Sequence, residues 1–436
     1  MFERIFQLEA NGTTVRREIV AGLTTFLTMA YIMFVNPKIL FAAGMDEGAV
    51  FVATCLAAAI TTMMMGLWAK LPVALAPGMG LNAYFAYTVV PQLNYDWQLA
   101  LGCVFLSGIL FVLISITPAR EWLINAIPRS LKLAIAAGIG FFLALIGLTN
   151  AGIVTTNGSL SLLTSGTLTD PRVLLAAAGF VVIFALASRR VIGAVMIGIV
   201  LVTAAAIAWD IAPAPLAATS MPPSVAATAF QLHFSGTAEA AIAASVLVFL
   251  LVDMLDTSGT LTAVAFQGNL LDEKGRLPNA RRALTSDAVG TMVGAVLGTS
   301  PVTAYIESSA GIQAGGRTGL TAVVVAVLFL LSLFLSPLAS AVPDFAVAPA
   351  LIFVAVLMMK GLKDIDWDDL TEAAPALLTA LAIPLTYSIA TGIGIGFIAY
   401  AAIKIVSFRW RDLNFAVFII AVAFIAKIVW DFPKLH

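Results

Sequence analysis

Apolar runs of about 16–22 residues follow one another along almost the whole chain, with only short polar breaks between them. Each run is long enough to cross a bilayer as a helix. Approximate spans are 17–36, 49–69, 73–90, 97–117, 129–149, 171–187, 190–210, 238–260, 284–298, 299–314, 317–336, 345–361, 373–389 and 390–407. These fourteen segments describe an all-α polytopic membrane fold. A further run at 413–430 reads as an added span or an interfacial piece. Of 436 residues, 61% are hydrophobic and 11% charged, where a soluble domain carries about 25% charged residues. A single soluble core stops growing near about 250–300 residues. Lipid is therefore the solvent this sequence requires.

The same composition excludes several classes of function. A net charge of −1 gives no reason to expect a nucleic-acid partner. Cys55 and Cys103 each lie within an apolar run and lack metal-ligand spacing, so they read as small hydrophobes. No cofactor is implied, and no GxxxxGK[ST] sequence supports ATP-driven transport. The opening MFERIFQLEANGTTVRREIVAG is charged and lacks a small-residue cleavage site before the first run. That run is expected to stay in the mature protein.

Basic residues set the expected orientation. With Arg4, Arg16 and Arg17 inside, alternate loops hold Lys70, Arg129 with Lys132, Arg189 with Arg190, the stretch 272–282, Arg317, Lys360 with Lys363, and Arg409 with Arg411. The intervening loops 150–170 and 211–236 are rich in Ser, Thr, Pro and Ala. A cytoplasmic N-terminus follows. Trp68, Trp97, Trp122 and Trp209 fall near span ends, as interfacial anchors do. Gly392, Gly394 and Gly396 suit close helix packing. His233 and His436 lie in a loop and at the terminus, outside any buried relay.

The halves resemble each other. FLTMAYI at 26–32 matches FLLVDML at 249–255, and the interrupted segment around Asn82 matches the one around Glu307. Offsets of roughly 215–225 residues across seven segments imply an inverted 7+7 repeat, because an odd span count flips the second copy. Pro72, Pro77, Gly78 and Gly80 interrupt the first of these segments, and Gly298 and Pro301 the second. The pattern predicts an extended stretch near 73–77 with a half-helix from about Met79, and extended 302–305 with a half-helix from about Ile306. Irregular backbone at membrane depth is tolerated only where protein buries it or it lines a cavity. The two stretches can pair, aiming two half-helix N-termini at one central cavity.

Ionisable side chains at that depth mark functional paths. Asp253 and Asp256 lie three residues apart on one helical face, with Thr257 one turn after Asp253. Glu307 and Asn82 fall in the first turns of the half-helices, with Ser308 beside Glu307. Asn82, Asp253, Thr257, Glu307 and Ser308 form the expected substrate site, and Asp253, Asp256 and Glu307 the expected proton-coupling set. Burial disfavours an ionised carboxyl, so such acids can load and release a proton near neutral pH. Carboxylates and a carboxamide suit a flat neutral heterocycle better than a sugar or an anion. Asp256 has a second reading, capping a local break at Ser258 and Gly259.

REIVAGLTTFLTMAYIMFVNPKIL, APGMGLNAYFAYTVV, DMLDTSGTLTAVA and GTSPVTAYIESSAGIQAGGRTGLTAVVVA resemble the signature segments of the AzgA-like purine permeases, a branch of the nucleobase–cation symporter-2 group. The resemblance covers about residues 5–407. It implies the uracil-permease fold in a cell inner membrane, with a core domain (1–125 and 237–340) and a gate domain (126–236 and 341–436). It also implies proton-coupled uptake of adenine, guanine or hypoxanthine, an elevator motion and a homodimer. Family roles fall on Asn82, Asp253, Asp256 and Glu307. An anion exchanger of the same architecture is the nearest rival, but it would want Lys or Arg at Asp253 and Glu307. A membrane aspartyl enzyme would draw its acids from different helices. A passive channel would not need the broken pair.

Overall fold

The computed structural model describes residues 2–92, 96–117, 127–157, 162–215, 217–234, 240–268, 270 and 277–431. Every predicted span has a counterpart. Among the described residues nine are long, apolar helices, from Val15–Phe41 through Glu47–Ala69, Trp97–Ile116, Arg129–Asn150, Pro171–Ser188, Ile242–Gln267, Gly319–Ser340 and Asp344–Asp364 to Ile389–Val406. Ala194–Ala208 and Leu370–Leu385 are shorter, and Ala280–Leu297 is of similar length but more polar, with Arg281, Arg282 and Asp287 in it. Spans 3 and 10 are the exceptions, each a short strand followed by a half-helix.

Polar residues in the breaks start the helices. Asp46 accepts a hydrogen bond from the Ala49 amide, Asp170 from Arg172 and Ser388 from Thr391. Each satisfies one of the orphan N–H groups that a helix start leaves. Span 1 is less regular than the sequence implied, because its helix breaks at Ala30–Tyr31 before resuming at Ile32. Loop 150–170 contains antiparallel strands Val154–Asn157 and Leu162–Ser165. The run at 413–430 is a helix, Phe415–Asp431, with Phe424 against Gly394.

Trp68 and Trp209 are exposed near helix ends, as expected of anchors. Trp122, His436 and residues 272–276 of the basic loop lie outside the described residues. Gly392 and Gly396 pack closely on the preceding helix, at Ile383 and Thr379. Between spans 2 and 11 the backbones touch: a Cβ on Gly319 would lie 1.8 Å from the Gly66 carbonyl oxygen.

Two polar ties cross the apolar mass. Glu18, fully buried on span 1, caps span 11 in trans. Its carboxylate accepts from the amides of Arg317 (2.9 Å), Thr318 (3.3 Å) and Thr321 (3.1 Å), and from the Thr321 hydroxyl (2.6 Å). Negative charge there also complements the helix dipole. The second tie centres on Lys404, which is 1% exposed and lies 2.7 Å from Glu372. Glu372 also accepts from Ser130 and Tyr400, which joins spans 5, 13 and 14. Nearby, the Thr371 hydroxyl and amide hold the Asp369 carboxyl down to about 2, with help from Arg409. This contribution is present above the ordinary carboxyl range and is lost only as the pH falls toward 2.

Glu18→Ala is expected to lower the thermal stability of the detergent-solubilised protein by about 2–3 kcal/mol, since bonds to a charged acceptor are lost and buried donors orphaned. An unchanged melting temperature would show that the cap is dispensable.

Candidate functional site

Proline and glycine keep residues 72–80 out of a helix, and the strand Leu75–Pro77 pairs antiparallel with Val302–Ala304 from the other half. The register sets Leu75 opposite Ala304, Ala76 opposite Thr303 and Pro77 opposite Val302. Backbone groups in this pair find partners. The Gly78 amide donates to Pro301 O (2.9 Å) and the Tyr305 amide to Ala74 O (3.0 Å). Thr62 of span 2 serves both backbone groups of Leu75, and the Ala74 amide donates to Ser308 Oγ at 3.0 Å. Side chains from other spans thus replace the water that lipid cannot supply. The half-helices Met79–Tyr84 and Ser308–Gln313 begin just beyond the strands.

A cavity of about 1070 Å³ lies beside this pair. Spans 1, 3, 8 and 10 form one wall, with Tyr31, Gly78, Asp256 and Glu307 on it. The other wall comes from span 5 at Ala136, the link 190–195 and span 12 at Phe353–Met358. Two cations line it, Arg190 and Lys360, both exposed and both at span ends.

The structure sorts the expected residues into two layers. Asp256 and Glu307 border the cavity; Asn82, Asp253, Thr257 and Ser308 do not and are buried behind it. Asp253 and Asp256 share a helix yet face different surroundings. Asn82 Oδ1 accepts from Ser300 at 2.5 Å, while its Nδ2 has no partner among the described residues. Ser308 is committed to the Ala74 amide, whereas neighbouring Ser309 borders the cavity with a buried hydroxyl that lacks a described partner. Glu307 is the N-cap residue of its half-helix but caps nothing; Tyr31 donates to its Oε1 at 2.5 Å.

Behind the strand lies an acid that sequence reasoning missed. Asp287, fully buried on Ala280–Leu297, accepts from Thr257 at 2.8 Å, and Thr257 lies 2.7 Å from Thr303 Oγ1. Asp253 is bonded to Thr291 at 2.7 Å, whose hydroxyl also lies 3.0 Å from Val302 O. Both acids therefore reach the same strand through threonines, and each keeps one oxygen without a described partner. The signal for Asp287 was present inside the run 284–298, but Arg281, Arg282, Thr285 and Ser286 before it make it read as a polar span end.

Asp287→Ala removes the acceptor of Thr257 and the acidic neighbour of Asp253. Transport of the natural substrate is expected to fall at least about tenfold while surface expression persists, because a buried network is lost. Normal transport rates in this variant would make Asp287 a bystander.

Comparison with known proteins adds three findings. Residues 16–395 match the family described as "Permease family" (Xan_ur_permease). The chain is 48% identical to the adenine permease AdeP of Escherichia coli strain K12, over 99% of this chain and 96% of that protein. It is 45% identical to the guanine/hypoxanthine permease PbuG of Bacillus subtilis strain 168, over 98% of this chain and 99% of that protein. In fold it is similar to the transmembrane domain of a cyanobacterium bicarbonate transporter, BicA, with TM-score 0.65 at 15% identity, covering 86% of this chain and 96% of that one.

Proposed function

Because the chain belongs to this permease family, and so is a multi-pass transporter rather than an enzyme, we propose that it carries purine nucleobases across the cell membrane in symport with protons. One observation carries the reading: two carboxylates, Asp256 and Glu307, face a single cavity between two packed bodies, and the cations of its lining sit at span ends. Ring N–H and exocyclic amino groups donate to carboxylates, whereas an anionic cargo would be repelled by them. The relatives' names, adenine permease and guanine/hypoxanthine permease, supply the substrate class.

Proton coupling rests on Asp253, Asp256, Glu307 and the newly placed Asp287. Asp253 and Asp287 are buried and bonded to threonines that reach the strand, while Asp256 and Glu307 border the cavity on its other side. The threonines suit either state. With Asp253 ionised, the Thr291 hydrogen turns to the carboxylate; with Asp253 protonated, the acid donates and Thr291 turns to Val302 O. A change of protonation is thereby felt by the strand that leads into Glu307.

The moving parts are a core, residues 1–125 and 237–340, and a gate, residues 126–236 and 341–436. Packing supports this division. Span 4 lies on span 9 and span 2 on span 11, whereas span 5 packs on spans 12 and 13. Elevator motion then means the core sliding along the gate with Asn82, Asp256 and Glu307 aboard. The cavity opens beside Arg190 and Lys360, the loops that the positive-inside rule puts in the cytoplasm. The N-terminus is cytoplasmic on the same rule, and this conformation faces inward.

Uptake of radiolabelled adenine, guanine and hypoxanthine in transporter-deficient cells tests the proposal. At least one base should accumulate, and a protonophore should abolish accumulation. Failure to accumulate any of the three would sink it. Glu307→Gln and Asp256→Asn should each reduce uptake more than about tenfold with insertion intact, since each removes a charged hydrogen-bond acceptor. If both transport normally, the substrate lies elsewhere.

A further inference from the structure

Span 1 contributes a polar face to the cavity that the repeat-based site leaves out. Thr24, Thr28 and Tyr31 all border the cavity. Their spacing of four and three residues stacks them on one helical face, the last at the point where the helix breaks. Tyr31 holds Glu307, and Thr28, whose hydroxyl donates to Thr25 O at 2.8 Å, lies close to it. The Thr28 hydroxyl lies 3.4 Å from the Glu307 backbone carbonyl, and the Tyr31 hydroxyl donates to Oε1 at 2.5 Å. Tyr31 is 1% exposed, so its ring is held by packing and its hydroxyl position is fixed. No other side chain among the described residues bonds this carboxylate.

We infer that Tyr31 is a positioning residue for substrate recognition: it ties down Glu307 Oε1 and so presents Oε2 to a ring N–H of the nucleobase. This rests on the nucleobase reading above. A carboxylate with two free oxygens on a half-helix of six residues could turn, and would accept from the base in several poses. Tethered through one oxygen to span 1, it offers a single acceptor at a fixed place. Holding a group in the productive geometry adds affinity by removing the ordering cost from the binding step. Tyr31 itself need not touch the base, and Thr24 and Thr28 complete the same wall.

The test is binding of the parent base and of its N-methylated analogues to purified full-length protein, wild type against Tyr31→Phe. In the wild type, methylation at one ring nitrogen should weaken binding sharply, which identifies the N–H that Glu307 accepts. Tyr31→Phe should weaken the parent base about tenfold, the scale of a hydrogen bond to a charged group. That variant should bind the critical methylated analogue as the wild type does, because the contact is already missing. Equal weakening of parent and analogue would indicate a general structural role and overturn the inference, as would an unchanged parent affinity. Wild-type protein that binds none of the bases would instead remove the nucleobase reading, and this inference with it.

Discussion

Inside a bilayer no water is available to a backbone N–H or C=O, so each must be paired by the protein itself. This constraint explains why most of the chain is helix, and it makes the two places without helix informative. At Leu75–Pro77 and Val302–Ala304 the halves meet as antiparallel strands, closed by Thr62, Ser308 and the Tyr305 hydroxyl, which donates to Pro77 O at 2.6 Å. If either strand were lost, the other would hold unpaired polar groups at membrane depth. The half-helices, the cavity wall and the acids behind it all take their positions from this pair.

Polar chemistry is arranged in layers around the strands. On the cavity side stand Asp256, Glu307, Tyr31 and Ser309. On the protein side stand Asp253, Asp287, Thr257 and Thr291, which bond one another and the strand, where Thr303 borders the cavity as well. A ligand in the cavity and a charge behind it thus act on one short piece of backbone. Such an arrangement permits coupling without direct contact between the two, because both bias the same element. Away from the centre, charged groups serve stability. Glu18 caps span 11, and Lys404 with Glu372 binds spans 5, 13 and 14 together.

Much of this was legible in the sequence, for identifiable reasons. Run length against bilayer thickness gave the fourteen segments, and the paired Pro and Gly interruptions located both strands to within two or three residues. Glu307 stood out because no soluble-facing explanation exists for an acid in TAYIESSAG. Asn82, Asp253, Thr257 and Ser308 were equally visible as polar residues at depth, yet their direction was not. Asp253 and Asp256 are three residues apart on one helix, and only the packing of span 9 and the strand against that helix decides which faces protein and which faces the cavity.

What the sequence determined by itself is therefore one-dimensional: how many times the chain crosses, where helix is forbidden, and which residues are too polar for lipid. Those follow from local composition and from the energetic cost of unpaired groups in hydrocarbon. The tertiary structure alone decided the pairings between spans: Tyr31 with Glu307 and Glu18 with the start of span 11 across the repeat, and Thr257 with Asp287 within its second half. These partners lie between 30 and 303 residues apart, so no local pattern in the chain encodes their contact. Each bond exists because distant spans fold onto one another and leave a buried polar atom one place in which to be satisfied.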